Sequence, residues 1–331
     1  MLWAALAGAN EARAQEPETG LVAQGDLVIS GFSGKVAPPA APPLPAGTSE
    51  LDETLIDVGG ASIKVLDVSA PGGGAEAQVI NAPVKFQVSA GEIGQVFGLA
   101  MDDASPRNIY ATATPVHGLQ IVLPDADGDG RPERLKLGQP GAQWMDGQFG
   151  IAKGGGPGSV WKIDGATGEV SLFANIGSAG APAGGSGLGN IAYDGKHKQF
   201  YVSDLATGLI HRLDMTGNDL GTFDHGVAGR PANALDAVAD DPANKLDITS
   251  PAFDSEDPDS WGFTDTRRRV WGLAYHGGRL YYAVADGPQI WSVGIAEDGS
   301  FAGDPRWELD VAAGSKRHPV SDIAFAKGEM I

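Results

Sequence analysis

Four segments of this 331-residue chain repeat one local pattern: a small or polar position, an aliphatic residue, an alanine, then an aromatic residue or methionine. They read Phe97-Gly98-Leu99-Ala100-Met101, Gly189-Asn190-Ile191-Ala192-Tyr193, Trp271-Gly272-Leu273-Ala274-Tyr275 and Ser321-Asp322-Ile323-Ala324-Phe325. Each apolar run is too short for a helix and is bounded by turn residues, so each is expected to be a strand. A strand that recurs in phase implies a recurring supersecondary unit, and that restricts the folds open to the chain.

The residues after each copy complete the unit. Between Gly187 and Asp214, the runs Asn190–Tyr193, Gln199–Ser203 and Leu209–Leu213 are separated by turns of Asp, Gly, Lys and Thr, the pattern of three antiparallel strands. Gly221-Thr222-Phe223 reads as a poor fourth strand. A complete set of four follows at Val270–Tyr275, Arg279–Val284, Gln289–Val293 and Arg306–Val311. Leu99 and Ile191 lie 92 positions apart, Ile191 and Leu273 82, and Leu273 and Ile323 50. Propeller blades recur about every 40–50 residues, so the last spacing fits directly and the first two need insertions. The fold class expected is all-β: a β-propeller of four-stranded antiparallel blades, four to six in number. Glycine, at 49 residues, is about twice its usual share and argues against long helices.

The insertions can be placed. Strands at Phe97–Asp102 and Asn108–Thr112 are followed by matching third and fourth strands only at Ser159–Asp164 and Glu169–Phe173, which makes 114–157 an excursion within one blade. A polar, Asp- and Pro-rich segment, 230–265, is the second excursion. An earlier blade has candidate strands at Asp26–Gly31, Ala61–Val68 and Val84–Val88, but its innermost strand is missing. Pro319–Phe325 reads as an innermost strand with no blade after it. Either that strand completes the first blade and closes a four-bladed ring, or the sequence is a fragment of a longer propeller; Glu329-Met330-Ile331, which looks like an interrupted second strand, favours the fragment. The propeller domain is assigned to 15–331.

The formal charge of −19 disfavours nucleic acid and anionic membrane as partners and favours divalent cations. No stretch reaches the ~18 apolar residues of a membrane-spanning helix. The short apolar run Leu2–Ala7 and the small-x-small site Ala12-Arg13-Ala14 make 1–14 a signal-peptide remnant, without the basic residues that normally precede such a run. Periplasmic or secreted location is therefore expected, and the absence of cysteine leaves stability to packing or bound metal.

One motif carries sharp chemistry. Asp125-Ala126-Asp127-Gly128-Asp129-Gly130-Arg131-Pro132-Glu133 places carboxylates at loop positions 1, 3, 5 and 9 and glycine at position 6, with the Arg131 carbonyl at position 7. Hard oxygen donors at that spacing can converge on one Ca²⁺. Position 12 is Lys136 where an EF-hand has a bidentate Glu. A solvated acidic turn is the plainer alternative. Close by, Trp144, Met145 and Phe149 put large apolar groups into the excursion, either folded back on the propeller or forming a binding patch.

The blade pattern, above all Gln199–Asp204 followed by Leu209–Asp214, resembles the NHL, TolB-like and gluconolactonase-like propellers over most of 96–331. The acidic loop resembles the calcium loops of FG-GAP repeats. Propellers of this group include enzymes, scaffolds and sugar or peptide binders, so the resemblance implies a fold more than a function. In the gluconolactonase-like members Glu, Asn and Asp around the channel hold a divalent metal that polarises a lactone carbonyl. Only Asn190 and Asp322 fall in that register here, with Gly98 and Gly272 in the other two copies, so they are weak catalytic candidates beside a reading as hydrated channel residues.

The six histidines form no zinc motif, and no nucleophile elbow or nucleotide-binding glycine loop occurs. Arg267-Arg268-Arg269, the one basic run, reads as a counter-charge to Asp254, Glu256, Asp257 and Asp259. The function expected is an exported calcium-binding propeller, a binding or scaffold module for a protein or glycan. The alternative is a lactonase-like hydrolase or sugar oxidoreductase acting at the channel.

Overall fold

A computed structural model describes residues 20–36, 55–69, 82–115, 153–177, 187–244, 252, 257–311 and 318–331. The strands in chain order are β1 (Asp26–Ser30), β2 (Lys35–Val36), β3 (Leu55–Ile56), β4 (Ala61–Asp67), β5 (Val84–Ser89), β6 (Val96–Met101), β7 (Ile109–Ala113), β8 (Ser159–Ile163), β9 (Val170–Asn175), β10 (Leu188–Asp194), β11 (Gln199–Asp204), β12 (Leu209–Asp214), β13 (Asp219–Asp224), β14 (Val270–His276), β15 (Arg279–Val284), β16 (Gln289–Gly294), β17 (Arg306–Asp310), β18 (Phe325–Ala326) and β19 (Glu329–Met330). Among the described residues helix is confined to short turns. Among the described residues no helix is long and apolar enough to cross a membrane.

Three sheets are four-stranded antiparallel meanders, β6-β7-β8-β9, β10-β11-β12-β13 and β14-β15-β16-β17. Their first strands, β6, β10 and β14, lie side by side. These are the blades of a β-propeller. Position in the blade decides composition: β11, with the sequence QFYVSD, is buried along its whole length between two neighbours, whereas β17 is exposed throughout and carries Arg, Glu and Asp. Outer edges are kept charged, which discourages pairing with other chains. The weak fourth strand expected at Gly221–Phe223 is six residues long, because β13 needs only Phe223 buried to be held on β12.

The core lies between the faces of adjacent blades. Tyr110, Val160 and Ala174 of the second sheet meet Leu188, Ile191, Phe200 and Val202 of the third, with the Tyr110 and Phe200 rings 4.2 Å apart. Tyr201, Ile210 and Phe223 of the third meet Leu273, Leu280, Tyr282 and Trp291 of the fourth. Full burial of side chains this large contributes about 1.5–3 kcal/mol each, so the blade interfaces hold the ring together.

The first sheet has three strands in the order β1-β4-β5. β5 runs into the short helix Ala90–Ile93 and then into β6, just as β9 leads to β10 and β13 to β14. By that connection β5 is a fourth strand, β4 a third and β1 a second. None of the described residues stands as a laddered innermost strand on β1.

Two expectations need correction. Pro319–Phe325 is not an innermost strand along its length: only Phe325–Ala326 is laddered, to Glu329–Met330, with Ala324 and Ile331 exchanging backbone hydrogen bonds beside them. Nor does this segment complete the first blade, because β1 pairs with β4 and not with residues 319–326, so closure of a four-bladed ring by that strand is excluded.

Candidate functional site

The centre of the ring is built from a repeated backbone irregularity. β6, β10 and β14 each carry a register shift, between Val96 and Leu99, Leu188 and Ile191, and Val270 and Leu273. Such a bulge takes backbone groups out of the ladder, and they must be satisfied elsewhere. The second strand of each blade supplies a hydroxyl. Thr112 Oγ1 accepts the Gly98 N–H at 2.8 Å and donates to the Gly189 carbonyl of the next blade at 2.6 Å. Ser203 Oγ accepts the Asn190 N–H and donates to the Trp271 carbonyl, both at 2.9 Å. Ser30, in the same register of β1, donates to the Phe97 carbonyl at 2.8 Å.

In the fourth sheet the corresponding residue is Ala283, which has no hydroxyl. There the Gly272 N–H donates directly to the Val320 carbonyl at 3.1 Å. The Ser321 carbonyl, left without a hydroxyl partner, accepts from Asn190 Nδ2 at 3.2 Å. Asn190 Nδ2 also donates to Asp322 Oδ1 at 2.6 Å, and Asn190 Oδ1 accepts its neighbour's N–H, from Ile191, at 2.6 Å. The structure therefore brings the two channel candidates together: Asn190 Nδ2 reaches across to Ser321 and Asp322, while Oδ1 is held within its own strand by the Ile191 N–H.

Glycine at 98 and 272 makes this close approach possible. A Cβ on Gly98 would stand 2.7 Å from Asn190 Cα, and one on Gly272 would stand 3.0 Å from Asp322 Cα. Small residues thus alternate with Asn and Asp around the ring because neighbouring backbones occupy the space of the missing side chains.

Two cavities open on Asp322. One of about 600 Å³ is lined by Asp26–Ser30, Phe97–Met101, Asn190 and Ser321, and one of about 390 Å³ by Tyr193, Tyr275, His276 and Phe325 among others. Asp322 Oδ1 accepts from Asn190 and from the Ile323 N–H at 2.8 Å. The second oxygen of this exposed carboxylate makes no hydrogen bond among the described residues, so it can accept from a ligand hydroxyl or cation in the channel. Among the described residues no three His, Asp or Glu side chains converge as a metal site. The calcium loop residues Asp125, Asp127, Asp129, Arg131 and Glu133, and the patch residues Trp144, Met145 and Phe149, lie outside the described residues, as does 1–14.

His211 is a polar group that the sequence did not single out. Its place on the third strand of its blade is held by Trp161 and Trp291 in the neighbouring blades, both fully buried. His211 Nδ1 contacts Asp219 at 2.7 Å, and Nε2 lies 3.9 Å from Asp204, an ion-pair distance beyond hydrogen bonding. Burial pushes the imidazole down, but Asp204 and Asp219 outweigh it and raise its pKa to about 9. His225 has the opposite fate: burial, with Arg230 and Arg268 nearby, lowers it to about 3, and its neutral ring packs edge-on to Trp291. The column of aligned third-strand residues is the signal that would have found His211.

The arginine run is a counter-charge: its carboxylate partners among the described residues are Asp265 and Asp224, and Asp254 and Glu256 of the expected set lie outside those residues. Arg267 pairs with Asp265 at 2.6 Å. Arg268, fully buried, pairs with Asp224 at 2.9 Å and caps the Thr207 and Val238 carbonyls. Arg269 donates to the Thr264 carbonyl and lies over the Phe263 ring. Asp257, meanwhile, accepts the Asp259 N–H in its own turn.

No family model matches the chain, and no curated protein matches it. Among solved structures it is similar to a chain of a nidogen/laminin complex, at 12% identity and a TM-score of 0.40, covering 91% of this chain and 66% of that one. It is also similar to a PQQ-bound aldose sugar dehydrogenase from Streptomyces coelicolor, at 14% identity and a TM-score of 0.33, covering 92% and 90%. A virginiamycin B lyase from Staphylococcus aureus is similar at 10% identity and a TM-score of 0.32, covering 90% and 77%. The likeness is one of fold.

Proposed function

We propose that this chain is an exported β-propeller binding module whose recognition surface is the 114–157 excursion, ordered by Ca²⁺. The observation that carries the reading is where the excursion is anchored. β7 and β8 are hydrogen-bonded neighbours, with Thr112 opposite Val160, so the two ends of the excursion are fixed a ladder apart. A metal that clips a loop with fixed ends orders it at little further entropic cost. Asp125, Asp127, Asp129, the Arg131 carbonyl and Glu133 form an all-oxygen donor set, suited to calcium rather than zinc. Trp144, Met145 and Phe149 follow the loop closely and present apolar surface to a protein or glycan partner.

Titration of the metal-free chain with Ca²⁺ and with Mg²⁺, read by tryptophan fluorescence and thermal melting, tests this. An ion bound only by the folded state contributes about 2.7 kcal/mol at a hundredfold excess over its dissociation constant. A Ca²⁺-selective response that Asp127→Ala abolishes is expected. A response unchanged in that variant, or none, overturns it.

The second reading is an enzyme of lactonase or sugar-oxidoreductase type working at the channel, and the free oxygen of Asp322 is what favours it. It requires that Asp322→Asn abolish turnover of a lactone or an aldose while leaving the fold intact.

A further inference from the structure

Acidic residues outnumber basic ones by 42 to 23 in this chain, so a cation taken out of water has carboxylates in excess to choose from. Arg267 and Arg268 each take one, Asp265 and Asp224. Half-buried Arg269 takes none among the described residues. Its Nε and Nη2 both donate to the Thr264 carbonyl, at 2.9 and 2.5 Å, and its guanidinium carbon stands 5.2 Å from the centre of the Phe263 ring. The neighbouring Asp265 carboxylate is already committed, with both oxygens accepting from Arg267. Burial holds the Arg269 pKa below the usual arginine value, against a smaller opposing pull from Asp265. A desolvated charge without a counter-ion is costly, and an anion beside it would remove that cost.

A guanidinium carries five N–H donors in a rigid fork. Chelation of one carbonyl by Nε and Nη2 occupies one edge of the Arg269 fork. The end edge, formed by Nη1 and the second Nη2 hydrogen, is left without a partner among the described residues, and two parallel donors of that kind match a carboxylate. The fork is also held in place. The Arg269 N–H donates to the Asp265 carbonyl and its own carbonyl accepts from the Ala285 N–H, both at 2.9 Å. Groups fixed before a ligand arrives cost less to order when it binds.

Arg269 lines a cavity of about 570 Å³, together with Arg267, Asp241, Asn244 and Thr266 among others. That volume suits a small ligand. None of its described lining residues belongs to the two cavities that open on Asp322. Two further groups there are acceptors with capacity to spare. Asn244 Nδ2 donates to the Phe263 carbonyl at 3.1 Å, which leaves Oδ1, and Asp241 Oδ1 accepts the Ala243 N–H at 2.9 Å, which leaves Oδ2. Such acceptors favour a ligand with hydroxyls to donate, whereas Asp241 and Asp265 disfavour an anion that has none. We propose that this cavity binds a small hydroxylated carboxylate of the sugar-acid class, with its carboxylate on the free edge of Arg269 and its hydroxyls donating to Asn244 and Asp241.

Isothermal titration of the full chain with glucuronate, glucose, acetate and inorganic phosphate tests this. Glucuronate should bind saturably and at least tenfold tighter than each of the other three. Arg269→Gln should weaken it at least tenfold, because hydrogen bonds to a charged group are lost. Should that variant melt early, Asn244→Ala on its exposed turn keeps the arginine: it should weaken glucuronate severalfold and leave acetate unchanged. Phosphate binding as tightly as glucuronate overturns the proposal, since the site would then be a general anion patch. So does an absence of glucuronate binding. Binding that appears only when Asp254→Asn and Glu256→Gln are combined overturns it too, because an acid of the chain itself would then be the partner of Arg269.

Discussion

Replacing Thr112 by valine isolates the hydroxyl that joins the second and third blades. The side chain keeps its shape and loses two hydrogen bonds, the one accepted from the Gly98 N–H at 2.8 Å and the one donated to the Gly189 carbonyl at 2.6 Å. Thr112 is fully buried, so water cannot replace the lost hydroxyl without opening the interface. Each backbone group left unsatisfied costs about 1–3 kcal/mol, which gives about 3 kcal/mol for the pair after partial relaxation. In a domain of this size that is about 4 °C in the thermal midpoint. Denaturant unfolding followed by the fluorescence of buried Trp161 and Trp291 measures it. The control is Ala283→Ser, which restores a hydroxyl in the blade where Gly272 and Ser321 already have other partners and should change stability by less than about 1 kcal/mol. A Thr112→Val variant within about 0.5 kcal/mol of the parent would refute the account of the ring, because the bulge groups would then be satisfied some other way.

Three further outcomes follow from the same geometry. Asn190→Asp sets a second carboxylate against Asp322 and should cost about 2–4 kcal/mol at pH 7, a loss that shrinks on acidification as the pair takes up a proton; urea midpoints across pH 4–8 read it. His211 has its folded pKa raised to about 9, so its contribution is fully present below about pH 6.5 and is lost as pH rises toward 9; the size of the shift corresponds to about 3 kcal/mol, and His211→Gln should flatten the stability profile across that window. Gly98→Ala meets backbone at 2.7 Å and Gly272→Ala at 3.0 Å, so both should destabilise by about 1–3 kcal/mol and the first by more; equal melting points for the two variants would contradict the packing described.

The innermost strands were legible because Gly98-Leu99-Ala100, Asn190-Ile191-Ala192 and Gly272-Leu273-Ala274 must each fit between two neighbours, and that requirement repeats in the residues. The shared register of Asn190 and Asp322 was legible for the same reason. The hydroxyls of Thr112 and Ser203 were not, since threonine and serine in a second strand read as ordinary strand residues until the bulge beside them is seen. His211 was hidden in the same way, because its equivalence to Trp161 and Trp291 appears only once third strands are aligned.

Hydrogen exchange of the 114–157 excursion, in EDTA and then in saturating Ca²⁺, tests the central claim most directly. The account predicts that Ca²⁺ slows exchange across 125–149 at least tenfold, that Mg²⁺ does not, and that Asp127→Ala removes the effect while leaving β7 and β8 protected. Exchange across 125–149 that is the same with and without Ca²⁺ would contradict it.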